Sequence, residues 1–351
     1  AHQALGDGGY LECDFPRDRA GVFIGTASGG ELRENYGLRV HWERMAQSIR
    51  STSEFGQLSP ELAANLLEEA ERNFKFGLPE LSEDSCSGVL GSIVAGRICN
   101  SFDLKGTAFT IDGACASALV AVDTAVRALT DNRLDLALAG GVDVAVEASI
   151  YILFSTLGAL SGDGSFPFDE RASGFVMGEG AGLVLLKRLK DAVSDGDRIY
   201  AVIKGVGVSS DGRVRGITAP DVSGQLRTLE NTYRDLPFGP ETIGMIEAHG
   251  TGTRIGDMTE LQSLNSFLND FTDRSRRIGV GSVKSNIGHL KSAAGIAGLI
   301  KSTRALHHGV LPPTINCETP RKEFDWASSP LALISEPDEF TEVDGFRRAA
   351  V

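Results

Sequence analysis

The stretch from Thr110 to Leu129 (TIDGACASALVAVDTAVRAL) constrains this chain more than any other. Thr107, Phe109 and Ile111 alternate as in a strand. The pattern breaks at Asp112-Gly113, and an Ala-rich run follows with Leu119, Val122, Val126 and Leu129 on one helical face. Cys115 stands where strand becomes helix. A thiol there faces unpaired N–H groups and the positive end of the helix dipole, and both favour the thiolate. The small neighbours Gly113, Ala114, Ala116 and Ser117 admit a tight turn and a close substrate. This is the layout of a nucleophile elbow with sulfur in place of oxygen. A lone cysteine in such a place is more often buried and inert, so the other residues have to supply its partners.

Elsewhere the patterns predict strands at 19–26, 135–146, 183–186, 199–208, 243–247 and 278–283. Helices are expected at 31–48, 59–74, 84–100, 187–192, 225–233, 259–269 and 293–307. Ser59 and Pro60 read as the N-cap and first position of the second of these. Ser28-Gly29-Gly30 and the Gly-rich segment 161–182 read as loops. Alternation of strands and helices gives an α/β class with mostly parallel sheet. The unit around Cys115 is echoed at 278–307, again strand, small-residue turn and Ala/Gly-rich helix. Two similar halves are therefore expected, 1–210 carrying the cysteine and 211–351 carrying histidines.

A net charge of −13 argues against a nucleic-acid-binding surface over the whole molecule. No apolar run reaches the roughly 18 residues of a membrane span. The five cysteines form no C-x-x-C pair and no disulfide framework, which points to a reducing, cytoplasmic setting. No H-E-x-x-H and no Cys/His pair has zinc spacing, so no metal is expected. The chain starts without Met on what reads as a helix tail, and is expected to be cut from a longer one.

Two of six histidines follow buried strands. His249 lies in Glu247-Ala-His-Gly-Thr-Gly-Thr253, and His289 in Lys284-Ser-Asn-Ile-Gly-His289 at an expected helix start. The carboxyl ends of strands are where open α/β sheets bind ligands. Either histidine alone reads as structural. Together with an elbow cysteine they form a Cys/His/His set suited to acyl transfer through a thioester. In it, neutral imidazoles would donate to a carbonyl becoming an enolate. Lys284 would hold His289 neutral or orient it. Asp257 and Glu260 either fix Thr251, Thr253 or His249, or form a helix-cap pair. His307 and His308 read as a solvated helix end, and Glu179 as structural.

Three segments in order, Asp112-Gly-Ala-Cys-Ala-Ser117, Glu247-Ala-His-Gly-Thr-Gly-Thr253 and Lys284-Ser-Asn-Ile-Gly-His289, resemble the signatures of the β-ketoacyl synthases. Pro167-Phe168-Asp169 through Gly178-Glu179-Gly180 resembles that family too. The resemblance implies a thiolase-like fold of two similar αβα halves and a homodimer. It also implies substrates carried on the phosphopantetheine of an acyl carrier protein, no permanently bound cofactor, and neighbouring acyltransferase and other synthase domains in the same polypeptide. By it, Cys115 holds the acyl chain, and His249 and His289 promote decarboxylation of a malonyl thioester. Lys284 supports His289, and Thr251 and Thr253 line the phosphopantetheine channel. Ala116 stands where modular polyketide synthases usually carry Ser, and 216–225 resembles iterative synthases of the enediyne and polyunsaturated fatty acid kind. The family's first strand and its Gly-Phe-Gly-Gly-type turn, source of a second oxyanion-hole donor, are expected outside the chain. A thiolase-like CoA-dependent Claisen enzyme would need a second catalytic cysteine. A chain-length-factor-like partner subunit would lack Cys115.

Overall fold

The computed structural model describes every residue except 28, 29, 215, 217 and 272–275, together with all side chains but those of Glu31 and Cys86. The expected turn at 28–30 and part of the 216–225 segment therefore lie outside the described residues. The first half runs α1 (His2–Asp7), β1 (Ala20–Gly25), α2 (Glu31–Val40), α3 (Trp42–Arg50), α4 (Pro60–Lys75), α5 (Ser85–Val89), α6 (Ile93–Phe102), β2 (Ala108–Ile111), α7 (Ser117–Thr130), β3 (Leu136–Asp143), α8 (Ala148–Thr156), β4 (Gly180–Leu186) and α9 (Leu189–Asp195). The second runs α10 (Val222–Tyr233), β5 (Met245–Glu247), α11 (Arg254–Asn269), β6 (Ile278–Gly281), α12 (Lys284–Ile287), α13 (Ala294–His308), β7 (Val310–Leu311), β8 (Leu331–Leu333), β9 (Asp338–Glu339) and β10 (Ala349–Ala350).

Each half is built on one four-stranded sheet, in the order β2-β1-β3-β4 and β10-β5-β6-β8. All pairings in the two sheets are parallel except β3 with β4. Helix α7 lies on β1 and β3, and α13 on β4 and β5, and the two helices meet. Small residues on both permit this: Ala118, Ala121 and Ala125 of α7 share one buried cluster with Ile296 of α13, and at Gly295 of α13 a Cβ would come within 2.5 Å of Leu119 Cγ. At Gly25, the end of β1, a Cβ would come within 2.5 Å of Ala118 N, so only glycine lets the start of α7 sit so close to the sheet.

Several expected boundaries move. The 84–100 helix is two, α5 and α6, interrupted at Leu90–Ser92. Helix α11 begins at Arg254, five residues before the expected start. No strand forms at 199–208. Apolar spacing there reads as a strand, but a strand needs a ladder partner. The Val208 carbonyl instead accepts from Asn231 Nδ2 on α10 at 3.3 Å, and Ser209 Oγ donates to the Gly224 carbonyl at 2.9 Å.

Candidate active site

Strand β2 delivers the chain into a turn held from both sides. Asp112 Oδ1 accepts from Ala114 N at 3.0 Å, and Ala114 takes φ +51°. That left-handed conformation costs a non-glycine residue about 1–2 kcal/mol. Ser117, fully buried, compensates: its hydroxyl donates to Ala114 O at 2.6 Å and accepts from Gly113 N at 2.9 Å. Two such bonds at about 1 kcal/mol each match the strain, and the elbow keeps its shape.

Cys115 sits at the apex, one residue ahead of Ala116, the N-cap of α7. Against the expected thiolate, burial pushes the thiol above its ordinary value, while Lys284 pulls it back and Asp143 adds to the rise. The proton on sulfur then has to leave to a neighbour.

His249 follows β5 in a turn where Gly250 and Gly252 take positive φ. Glu260, on α11, reaches back to it: Oε1 accepts from His249 N at 2.6 Å and Oε2 from Gly250 N at 2.7 Å. Asp257, wholly buried, accepts from Gly252 N at 3.0 Å and from Phe168 N at 2.8 Å. Both acids hold backbone around the histidine rather than capping their own helix. Burial pushes Asp257 up to about 7, against the two N–H donors. The Thr251 and Thr253 hydroxyls lie 3.0 Å apart, and no contact joins them to Asp257 or Glu260 among the described residues.

His289 is not at a helix start. It follows α12 across Gly288, and the 175–178 loop grips it: its N–H donates to Val176 O at 2.7 Å, and its carbonyl accepts from Gly178 N at 3.0 Å. The Phe175 ring meets its ring edge-on at 5.1 Å. Its Nδ1 accepts from Lys291 N at 3.1 Å, so the proton of the neutral ring sits on Nε2.

The two imidazoles are perpendicular, 5.2 Å between centroids, and one donor atom each from Cys115, His249 and His289 lies within 4.8 Å of the others. These are also the side chains best placed to hold a thiophilic ion. His249 is accessible along one edge, yet protein surrounds it deeply enough that desolvation, helped by Lys284, pushes it down to about 3. Desolvation, His249 and Lys284 likewise hold His289 well below the usual imidazole range. Lys284 is buried; desolvation lowers its own value, while Glu260 and Glu247 favour its charge. The site is thus two neutral imidazoles and a protonated thiol around one gap.

Sequence reasoning took Ser117 only as a small neighbour of Cys115, and it missed Asp143 and Lys291. The only signal for the last two is a charge of each sign set among small apolar neighbours, in Gly-Gly-Val-Asp143 and Leu-Lys291-Ser-Ala-Ala.

The match to known proteins is extensive. Residues 1–192 match the family model for the beta-ketoacyl synthase N-terminal domain, and residues 200–318 the model for its C-terminal domain. The polyketide synthase GfsB of Streptomyces halstedii is 41% identical over 76% of the chain, and a polyunsaturated fatty acid synthase protein from a Thraustochytrium is 36% identical over 92%. The chain spans only 5% and 11% of those two proteins. Among solved structures, the ketosynthase from module 6 of the bacillaene synthase of Bacillus subtilis 168 superimposes with a TM-score of 0.75. It is 36% identical over 95% of this chain and 51% of its own. Both kinds of synthase are matched, so the relatives do not separate the modular from the iterative reading. Matches over both family models and over most of the chain, on a thiolase-like fold, show that the chain belongs to the β-ketoacyl synthases of the thiolase superfamily.

Proposed function

We propose that the chain condenses an acyl chain held on Cys115 with a malonyl-type thioester, in polyketide or fatty acid synthesis. The observation that carries this is the Cys115–His249–His289 cluster, with both rings neutral and His289 committed to Nε2–H. In loading, sulfur attacks the incoming thioester carbonyl as its proton passes to His249, whose nitrogens accept no hydrogen bond among the described residues. The two events are concerted, because an imidazole this weakly basic takes the proton only as the thiol loses electron density to the carbonyl. The new C–S bond forms, the carrier's C–S bond breaks, and His249 returns the proton to the departing thiolate. In the second stage the malonyl carboxylate leaves as CO2. Nε2–H of His289, joined by His249, stabilises the enolate oxygen. The enolate carbon attacks the acyl carbonyl, Cys115 departs as thiolate, and a solvent proton restores it.

The substrates are taken as phosphopantetheine thioesters of an acyl carrier protein, along a channel lined by Thr251 and Thr253. No further cofactor takes part. By the same reading the chain works beside acyltransferase and other synthase domains in one cytoplasmic polypeptide, as a part of a protein far longer than itself, like the relatives it matches. The working unit has halves 1–210 and 211–351 and is a homodimer, joined along the edge strand β2 and the apolar face of α8. That helix exposes Ile152 and Leu153, at 67% and 53%, an apolar surface that calls for cover. A CoA-dependent thiolase-like reading is not favoured, because among the described residues the cluster holds a single thiol. A non-catalytic partner is not favoured either, because Cys115 is present.

Feeding malonyl-carrier protein to Cys115→Gln tests the scheme. Condensation is expected to stop, because no thioester forms, while decarboxylation to acetyl-carrier protein continues. Persisting condensation would remove Cys115 from the mechanism. In parallel, His289→Ala is expected to lose decarboxylation and still load an acyl group by intact mass, whereas His249→Ala slows both.

A further inference from the structure

The side chain of Lys291 turns back across the boundary between the halves. Its Nζ lies 3.1 Å from Asp143 Oδ1, at the end of β3, and donates to Gly178 O at 3.0 Å. Both side chains are nearly excluded from solvent, at 10% and 1%. Asp143 Oδ2 also accepts from Ser292 Oγ at 2.7 Å and Ser292 N at 3.3 Å. The backbone of Lys291 is left-handed, φ +47°, which a non-glycine residue holds only where its surroundings impose it. In that conformation its N–H points at His289 Nδ1.

We propose that the Asp143–Lys291 pair is a positioning device for His289. The first half, through Asp143, fixes the second half's Lys291 in the strained conformation that sets the His289 tautomer and aims Nε2–H into the gap. The proposal deepens the reading above and rests on it for its activity readout. Asp143 and Lys291 act on the Cys115 thiol in opposite directions. Removing both therefore offsets one effect on the thiol against the other, instead of leaving either charge alone beside it, and releases the anchor.

The test is the double variant Asp143→Asn with Lys291→Met, which keeps shape and removes both charges. Malonyl decarboxylation is expected to fall about ten- to a hundredfold, the scale of a misaimed catalytic group, while acyl loading of Cys115 changes less than twofold. In 15N-histidine spectra, the His289 signal is assigned by its loss in His289→Gln. It is expected to be wholly Nε2–H in the parent protein and a mixture of tautomers in the variant. Asp143→Asn alone, milder and isosteric, is expected to show a smaller change in the same direction. An unchanged tautomer with decarboxylation within twofold of the parent overturns the proposal. So does a parallel fall of loading, decarboxylation and melting temperature in both variants, which marks a merely structural pair. If the parent protein decarboxylates no malonyl thioester, the ketosynthase reading fails and the tautomer measurement still decides this one.

Discussion

A histidine whose proton affinity is depressed stays neutral where an ordinary one charges, and this separates catalysis from stability here. Both rings titrate far below 6.5 in the folded protein. Decarboxylation by Cys115→Gln should therefore stay flat from pH 8 to about 5.5, in a range where an ordinary imidazole of pKa about 6.5 would be lost. Stability behaves otherwise. Below 6.5 the unfolded chain binds protons that the two folded imidazoles refuse, so the stability they contribute falls as pH drops through that value, against the opposite slope from Asp257, which burial raises to about 7. The difference in denaturation midpoint between the parent and His249→Gln with His289→Gln isolates the imidazoles. It should shift against the parent as pH drops through 6.5, and a pH-independent difference would contradict the depression. The Cys115 thiol, raised by burial, should react with a neutral alkylating reagent at a rate still climbing above pH 9. Exposed Cys13 should be labelled no more slowly, which reverses the order expected from the helix dipole alone. Cys115, His249 and His289 were legible because small residues flank them at strand ends. Burial was not legible, and it decides the sign of every shift in the site. Asp143 and Lys291 were hidden for a related reason: a single charge in a sequence reads as surface until its partner is found in the other half.

Among elements, the elbow tests how strain is held. Ser117→Ala removes both hydrogen bonds that offset the left-handed Ala114 and leaves Gly113 N unpartnered. It should lower stability by about 1–3 kcal/mol in denaturant unfolding and slow acyl loading, whereas a Ser117→Thr change that keeps the hydroxyl should do less. Equal loading rates for Ser117→Ala and the parent would show that the turn holds itself. Strand β2 and helix α7 were readable because their periodicities are local. The segment at 199–208 was not, because a strand is made by its neighbours: the same alternation finds no ladder partner, and its last carbonyl, that of Val208, turns to Asn231 of α10. Glu260 and Asp257 were legible as acids near the His249 turn, but only the fold shows that they grip backbone N–H groups.

For the whole molecule, the edge strand β2 leaves Phe109 40% exposed while its ring meets Phe23 edge-on at 5.2 Å. Phe109→Arg should shift sedimentation toward monomer if the dimer forms along that edge, with little effect on the fold. An unchanged dimer would place the interface elsewhere. The division into two sheets followed from the repeated strand–turn–helix unit, whereas the contact between α7 and α13 depended on glycines and alanines whose packing no periodicity reveals. That contact bears directly on the proposed reaction. Sulfur belongs to one sheet and both imidazoles follow strands of the other, so the chemistry reads out the spacing of the halves as a gauge reads a gap. The packing that sets the gap is one core shared by α7, Leu290, Ala293 and Ile296. A perturbation that slides α13 along α7 by a fraction of a helical turn would open the gap and loosen that core together, and turnover and melting temperature would register the slippage at once.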